Sequence, residues 1–127
     1  SNADPQQIQK ANKMLGGRLV SVQNQFSPAF RSSRPELELC DRMGIAFLPW
    51  SPLGGISKAV GLGDRFAPFQ QVADAHGVSP QQVCLAWMLS LSPVVVPIPG
   101  SSRPETIRDS VKAVDLQLTP QELESLG

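Results

Sequence analysis

Polar and apolar positions fall into short blocks whose period changes along the chain. Ile8, Ala11 and Leu15 recur at helical spacing behind Asp4-Pro5, an aspartate N-cap with proline at N1, and Gly16-Gly17 stops the run. Leu19 to Val22 predicts a short strand ending in Gln23-Asn24, with Ser27-Pro28 in the loop behind it. A second helix is expected from about Arg34 to Met43. Leu37, Cys40 and Met43 face inward in it, Ser33 and Glu36 have capping-box spacing, and Gly44 closes it. Ile45 to Leu48 is the second expected strand, apolar on both faces, which suits a parallel sheet covered by helices. After the glycine-rich loop Ser51 to Gly63, the spacing of Phe66, Phe69, Ala73 and His76 predicts a helix ending at Gly77. Ser79-Pro80 opens another through Leu91, with so little polar surface after Val83 that burial is expected. Val94 to Ile98 is the third expected strand. The helix after Ser102, with Glu105 as capping partner, should carry Ile107, Val111 and Val114 inward. Thr119-Pro120 opens a last helix, with Glu122 as capping partner and Leu123 and Leu126 packing down.

Strands alternating with helices imply right-handed crossovers and a parallel sheet, so the fold class is α/β. At 127 residues, 41% of them hydrophobic and 17% charged, the chain makes one globular domain with a real core. Lys and Arg balance Asp and Glu at 11 each. That argues against a nucleic-acid or membrane-surface partner and leaves room for one local basic site. Cys40 and Cys84 lie inside apolar helical patterns without metal-ligand spacing, so buried thiols in a reducing, cytoplasmic compartment are expected. No apolar run has membrane-spanning length and no signal peptide is visible. Ser1-Asn2-Ala3 reads as a cloning scar, which leaves residues 4–127 as the domain.

In parallel α/β folds, sites form at the carboxyl ends of strands. Three places qualify: Gln23-Asn24, Trp50-Ser51 with its glycine loop, and Gly100 to Arg103. The last joins an apolar strand to a helix N-terminus through Gly-Ser-Ser, leaving a cluster of backbone N–H groups suited to an anion. Arg103 adds a forked guanidinium suited to phosphate oxygens. An amide pair, an aromatic plate and a phosphate cradle together suit a nucleotide with a flat ring. Each has a plainer alternative: amides capping a strand end, a core or lid tryptophan, an ordinary flexible connection.

Catalytic groups are scarce. The chain has no tyrosine and one histidine, His76, expected at a helix C-terminus away from the strand ends in a structural or solvent-facing role. No zinc set can be assembled from one histidine and two helical cysteines, and Ser21, Ser51 and Ser101 lack a histidine to activate them. Lys58 lies in the glycine loop with no apolar pocket evident beside it.

Four stretches carry a resemblance: Val-Ser-Val-Gln-Asn-Gln-Phe-Ser, Gly-Ile-Ala-Phe-Leu-Pro-Trp-Ser-Pro-Leu-Gly, Val-Ser-Pro-Gln-Gln-Val-Cys-Leu-Ala-Trp-Met-Leu and Pro-Ile-Pro-Gly-Ser-Ser-Arg-Pro-Glu. In that order and spacing they resemble the aldo-keto reductase family, from Asp4 onward. The resemblance implies a partial (β/α)8 TIM barrel: the C-terminal portion, strands six to eight with their helices. It implies NADP(H) as cofactor and hydride transfer between NADPH and an aldehyde or ketone.

Residue by residue, Gln23 matches the partner of the nicotinamide carboxamide and Trp50 the aromatic that stacks on the ring. Ser51, Leu53 and Gly54 match the loop over the pyrophosphate, shorter here than in many relatives. Gly100, Ser101 and Arg103 match the 2′-phosphate cradle. Asp109 and Ser110 match the adenine contacts, Ser110 standing where asparagine is common. The family's aspartate, tyrosine, lysine and histidine tetrad comes from the first half of the barrel and has no counterpart here, so no catalytic residue is assigned and the chain alone is expected to be inactive. Three strands would leave open edges and bare apolar side chains, each forgoing roughly 1.5–3 kcal/mol. Self-association, or pairing with an N-terminal half, is therefore expected. The alternatives to a reductase portion are a non-catalytic nucleotide-binding fragment and a self-associating one.

Overall fold

The computed structural model describes all 127 residues apart from the side chains of Ile56 and Ser57. Helix α1 (Pro5–Met14) leads to strand β1 (Ser21–Gln25), helix α2 (Arg34–Met43) and strand β2 (Ala46–Trp50). The glycine loop contains two helical turns, α3 (Ile56–Ala59) and α4 (Leu62–Arg65), and then come α5 (Ala67–His76) and α6 (Pro80–Leu91). Helix α7 (Pro104–Val111) runs into a 3-10 turn (Lys112–Asp115), and α8 (Pro120–Leu126) ends the chain.

β1 and β2 pair in parallel from Ser21↔Ala46 to Gln25↔Trp50. Both strands therefore sit one to two residues later than the hydrophobic runs suggested, and Gln23, Asn24 and Trp50 belong to the strands themselves. Val22, Asn24, Phe47 and Pro49 are buried, while Ser21 and Gln23 on the opposite face are exposed and Leu48 and Trp50 half-buried. Helices thus cover one face of the sheet. The expectation of two covered faces fails because apolar side chains in β2 do not by themselves supply a second layer.

The third expected strand is also corrected. Val94–Ile98 runs beside β2, with Phe47 N–H donating to Val94 O at 2.8 Å, Val96 N–H to Phe47 O at 2.8 Å and Ile98 N–H to Pro49 O at 3.4 Å. The regular ladder shrinks to a single bridge, Phe47↔Val95. Proline is the reason: Pro49 has no N–H to return to this segment, and Pro97 and Pro99 have none for any neighbour on the far side. The one remaining N–H on that far side, from Val95, donates to Ser92 O at 3.2 Å.

The core is centred on α6. Trp87 is 1% exposed, stacks on Phe26 at 6.0 Å and meets Phe69 edge-on at 5.7 Å, while the Arg31 guanidinium lies 4.6 Å from its ring centre. Arg31 then donates to Leu126 O at 3.0 Å and Gly127 O at 2.6 Å, which fastens the C-terminal turn over the core. Burial lowers its pKa. Cys40 and Cys84 are buried free thiols, both pushed up by desolvation, Cys40 to about 11. His76 bridges α5 to α8 through Glu122 at 2.8 Å, a structural role.

Two capping boxes form, at Asp4–Gln7 and Thr119–Glu122. The box expected at Ser33–Glu36 does not: Ser33 has ψ 15°, outside the extended region an N-cap needs, and Glu36 Oε2 is buried with no partner among the described residues. The box expected at Ser102–Glu105 fails because α7 starts one residue later, with Arg103 at the cap and no short acceptor oxygen there. Leu15, at 46% exposed, and Ile107, Val111 and Val114, at 45%, 61% and 65%, were expected inside and lie outside. Periodicity correctly finds the stripe, but among the described residues no element covers it.

Candidate functional site

The carboxyl ends of β2 and of the Val94–Ile98 segment open onto one cleft. Its inner part is a hollow of about 220 Å³ lined by Ser51, Pro52, Leu53, Gly55, Ala59, Ile98, Pro99 and Gly100. Its outer part, about 330 Å³, is bounded by Leu53, Ala59, Val60, Gln81, Gly100, Arg103, Glu105, Thr106, Asp109 and Ser110. Leu53, Ala59 and Gly100 belong to both walls, so the two parts adjoin.

Backbone strain marks the inner end. Ser51 sits at φ 50°, a left-handed conformation costly for a residue with a Cβ and frequent at functional sites. Gly54 and Gly55 follow at φ 86° and 94°, and a Cβ on Gly54 would stand 3.4 Å from Arg65 Nη2. The chain can therefore turn back over the cleft only with glycine there. Arg65 donates to Lys58 O at 2.6 Å and Gln81 Nε2 to Ala59 O at 2.5 Å, and these bonds fasten the returning segment to α4 and α6.

The outer end offers donors. Among the described residues, none of the backbone N–H groups of Gly100, Ser101, Ser102 and Arg103 donates to another protein group. α7 has no side-chain cap, and among the described residues the N–H groups of Glu105 and Thr106 in its first turn are free as well. Arg103 is exposed and no carboxylate lies within ion-pairing distance. Four free amides, an uncapped helix start and an unpaired guanidinium form a donor set that fits a phosphate.

Of the residues singled out from sequence, the cleft brings together Ser51, Leu53, Gly100, Arg103, Asp109 and Ser110. Gly54 lies in the turn beside it, and Ser101 lines a shallow hollow on the other side of Arg103. Gln23 and Trp50 stand apart from the cleft on the open face of the sheet, two rungs from each other in the register. Asp109 is already engaged: its carboxylate accepts from Ser79 Oγ, and from Gln82 Nε2 at 3.1 Å, which ties α7 to the start of α6. Sequence reasoning missed Gln81 and Thr106. Both are polar and sit just inside a proline-initiated helix, a position whose side chains reach toward the helix start.

Fold and site together define a parallel α/β protein with a cleft at its strand ends, one end of which is rich in hydrogen-bond donors. The chain belongs to the aldo/keto reductase family, whose profile matches residues 1–127. It is 33% identical to pyridoxine 4-dehydrogenase of Escherichia coli over 126 residues, which is 99% of this chain and 42% of that protein. It is 38% identical over 105 residues to an uncharacterised oxidoreductase of Schizosaccharomyces pombe, 81% of this chain and 32% of the relative. Among solved structures, a thermostable aldo-keto reductase bound to the inhibitor epalrestat superposes with a TM-score of 0.83 at 28% identity, covering 99% of this chain and 46% of that one. An aldo-keto reductase from Klebsiella pneumoniae, solved with NADP and acetate, superposes with a TM-score of 0.85 at 23% identity, covering 98% and 44%. The two solved structures are TIM barrels, and the chain spans less than half the length of each of these four proteins.

Proposed function

We propose that this chain is the cofactor-holding, C-terminal portion of an NADP(H)-dependent aldo-keto reductase barrel, comprising strands six to eight with their helices. The observation that carries this reading is the pair of adjoining hollows that share Leu53, Ala59 and Gly100. One end is a strained glycine turn beside Trp50, and the other is a set of free amides with Arg103. An elongated ligand with a flat ring and a terminal phosphate suits such a path.

When bound, NADPH supplies the hydride for reduction of an aldehyde or ketone. This chain's residues do the holding. Trp50 offers a plate for the nicotinamide ring, and Gln23, on the same sheet face, offers an amide for its carboxamide. Ser51, Leu53 and Gly54 close over the pyrophosphate. Gly100, Ser101 and Arg103 take the 2′-phosphate that separates NADPH from NADH, with Asp109 and Ser110 at the adenine end. The proton donor for the carbonyl oxygen comes from outside these residues. Titrating the protein with NADPH should quench Trp50 emission while the Trp50→Phe variant stays silent. A wild-type signal that does not move would overturn the cofactor reading.

The exposed stripe of Ile107, Val111 and Val114, with Val96 at 49% and Ile98 at 38% exposed, favours a second property: association through that face, with another copy or with the rest of a barrel. Sedimentation velocity should show concentration-dependent association, reduced by Val111→Lys. A stable dilute monomer would contradict it.

A further inference from the structure

We infer that Gln82 and Ser79 are positioning residues for the cleft: through Asp109 they fix where the donor-rich start of α7 stands relative to the inner hollow. This role rests on the reading of the two hollows as one nucleotide site, and it follows from what holds α7 in place. Ser110 is the one side chain that α7 buries, and Ala113, 3% exposed, anchors the chain just beyond the helix. The apolar residues of α7 add little adhesion. Ile107 and Val111 are exposed and border an open apolar groove of about 390 Å³, shared with Leu85 and Leu89 of α6. The tie between the two helices is polar instead. Gln82 Nε2 donates to Asp109 Oδ1 and to Asp109 O, both at 3.1 Å, and the Ser79 hydroxyl donates to Asp109 Oδ2. The same hydroxyl accepts the Gln82 N–H at 3.0 Å, which closes the network.

Burying an amide costs free energy unless it is hydrogen-bonded. Gln82 is 4% exposed at the head of a helix that is otherwise apolar inside, and Asp109 is what satisfies it. Arg103 stands six residues before Asp109, about 9 Å of helix rise. With Ala113 as the far anchor, the helix start is a lever, and the tie at Asp109 sets its direction. Asp109 and Ser110 also line the outer hollow beside Arg103, so the network reaches the wall that a ligand would meet. A ligand that spans both hollows draws on each of them in full only if their spacing is held before it arrives. A ligand confined to the outer hollow is indifferent to that spacing. A purely structural role for Gln82 predicts no such distinction.

Calorimetry with NADPH and with adenosine 2′-phosphate, which is too short to reach both hollows, separates the two cases. The wild type should bind NADPH more tightly than adenosine 2′-phosphate. Gln82→Met keeps the side-chain volume and loses the donors. In that variant NADPH affinity should fall about 5- to 10-fold, while adenosine 2′-phosphate stays within about 2-fold. Amide exchange from Ile107 to Val111 should quicken relative to Val72 and Ala73 of α5. Ser79→Ala should repeat this pattern, and Ser79→Thr, which keeps the hydroxyl, should not; this pair gives the answer if Gln82→Met does not fold. A loss shared equally by the two ligands, or no loss in a folded variant, overturns the positioning role. A wild type that binds neither ligand, or both equally, instead removes the reading of the hollows as one nucleotide site, and the positioning role falls with it.

Discussion

Helices α6 and α7 begin alike and end up with opposite roles. Both carry proline at their first position and follow a short polar segment. At the start of α6, Ser79 accepts the Gln82 N–H at 3.0 Å, Asp109 reaches across from α7 to both, and every side chain from Gln82 to Met88 is buried. At the start of α7 there is no side-chain cap, the N–H groups of Glu105 and Thr106 are free among the described residues, and Ile107 and Val111 are exposed. One helix has spent its end groups on the fold, and the other holds them for something else. A missing cap is not itself the difference, since α2 and α5 have no side-chain cap either; what sets α7 apart is the exposed Arg103 and the run of free amides that leads into it.

The largest effect that separates the two helices is expected in the core. Trp87→Ala should cost about 3–5 kcal/mol in urea unfolding, whereas Val111→Ala, on the exposed stripe, should stay within about 0.5 kcal/mol. Comparable losses would erase the distinction. Next comes ligand binding. Arg103→Ala removes a charged donor and should lower NADPH affinity about 10- to 100-fold, with a much smaller change for NADH and no change in thermal midpoint. Equal losses for the two nucleotides in calorimetry would refute the 2′-phosphate assignment. Caps come third: Ser79→Ala should destabilise by about 1 kcal/mol, and Ser102→Ala should leave the unfolding midpoint where it was. The shallowest effect is in pH. Both thiols hold their protons more tightly folded than unfolded, so their contribution is fully present below the ordinary thiol pKa of 9.0 and is lost as pH rises. For Cys40 the loss is spread between 9.0 and about 11, and for Cys84 it extends higher. Stability measured in urea at pH 8, 9 and 10 should decline, and replacing Cys84 with alanine should flatten the decline.

Local signals were legible where a residue's own chemistry decides the outcome. The bounds of α2 and α6 follow from their prolines, apolar spacing and following residues. The cap at Thr119 follows from its hydroxyl and Glu122. Three strand ends were legible as candidate sites, two of them open onto the cleft, and six of the ten named residues meet there. What escaped depends on a neighbour. Whether Val94–Ile98 forms a full ladder turns on Pro49 lying opposite, which periodicity within one segment cannot reveal. Whether Ile107, Val111 and Val114 are buried depends on a covering surface, and a stripe encodes only that one is wanted. Asp109 also ties α7 to α6 through Ser79 and Gln82, a contact that no spacing within α7 announces.

The proline spacing of Val94–Ile98 also bears on how this protein fails. Its outward edge presents carbonyls and no free N–H: Val95 is engaged, and Pro97 and Pro99 have none to give. A fibril grows by lending both donors and acceptors to the next chain at every rung. This edge supplies only half of that pattern, so the most apolar run in the sequence is also a poor template for amyloid. Clustering driven by the bare stripe nearby is expected to be amorphous, dilution-reversible and blind to fibril-binding dyes.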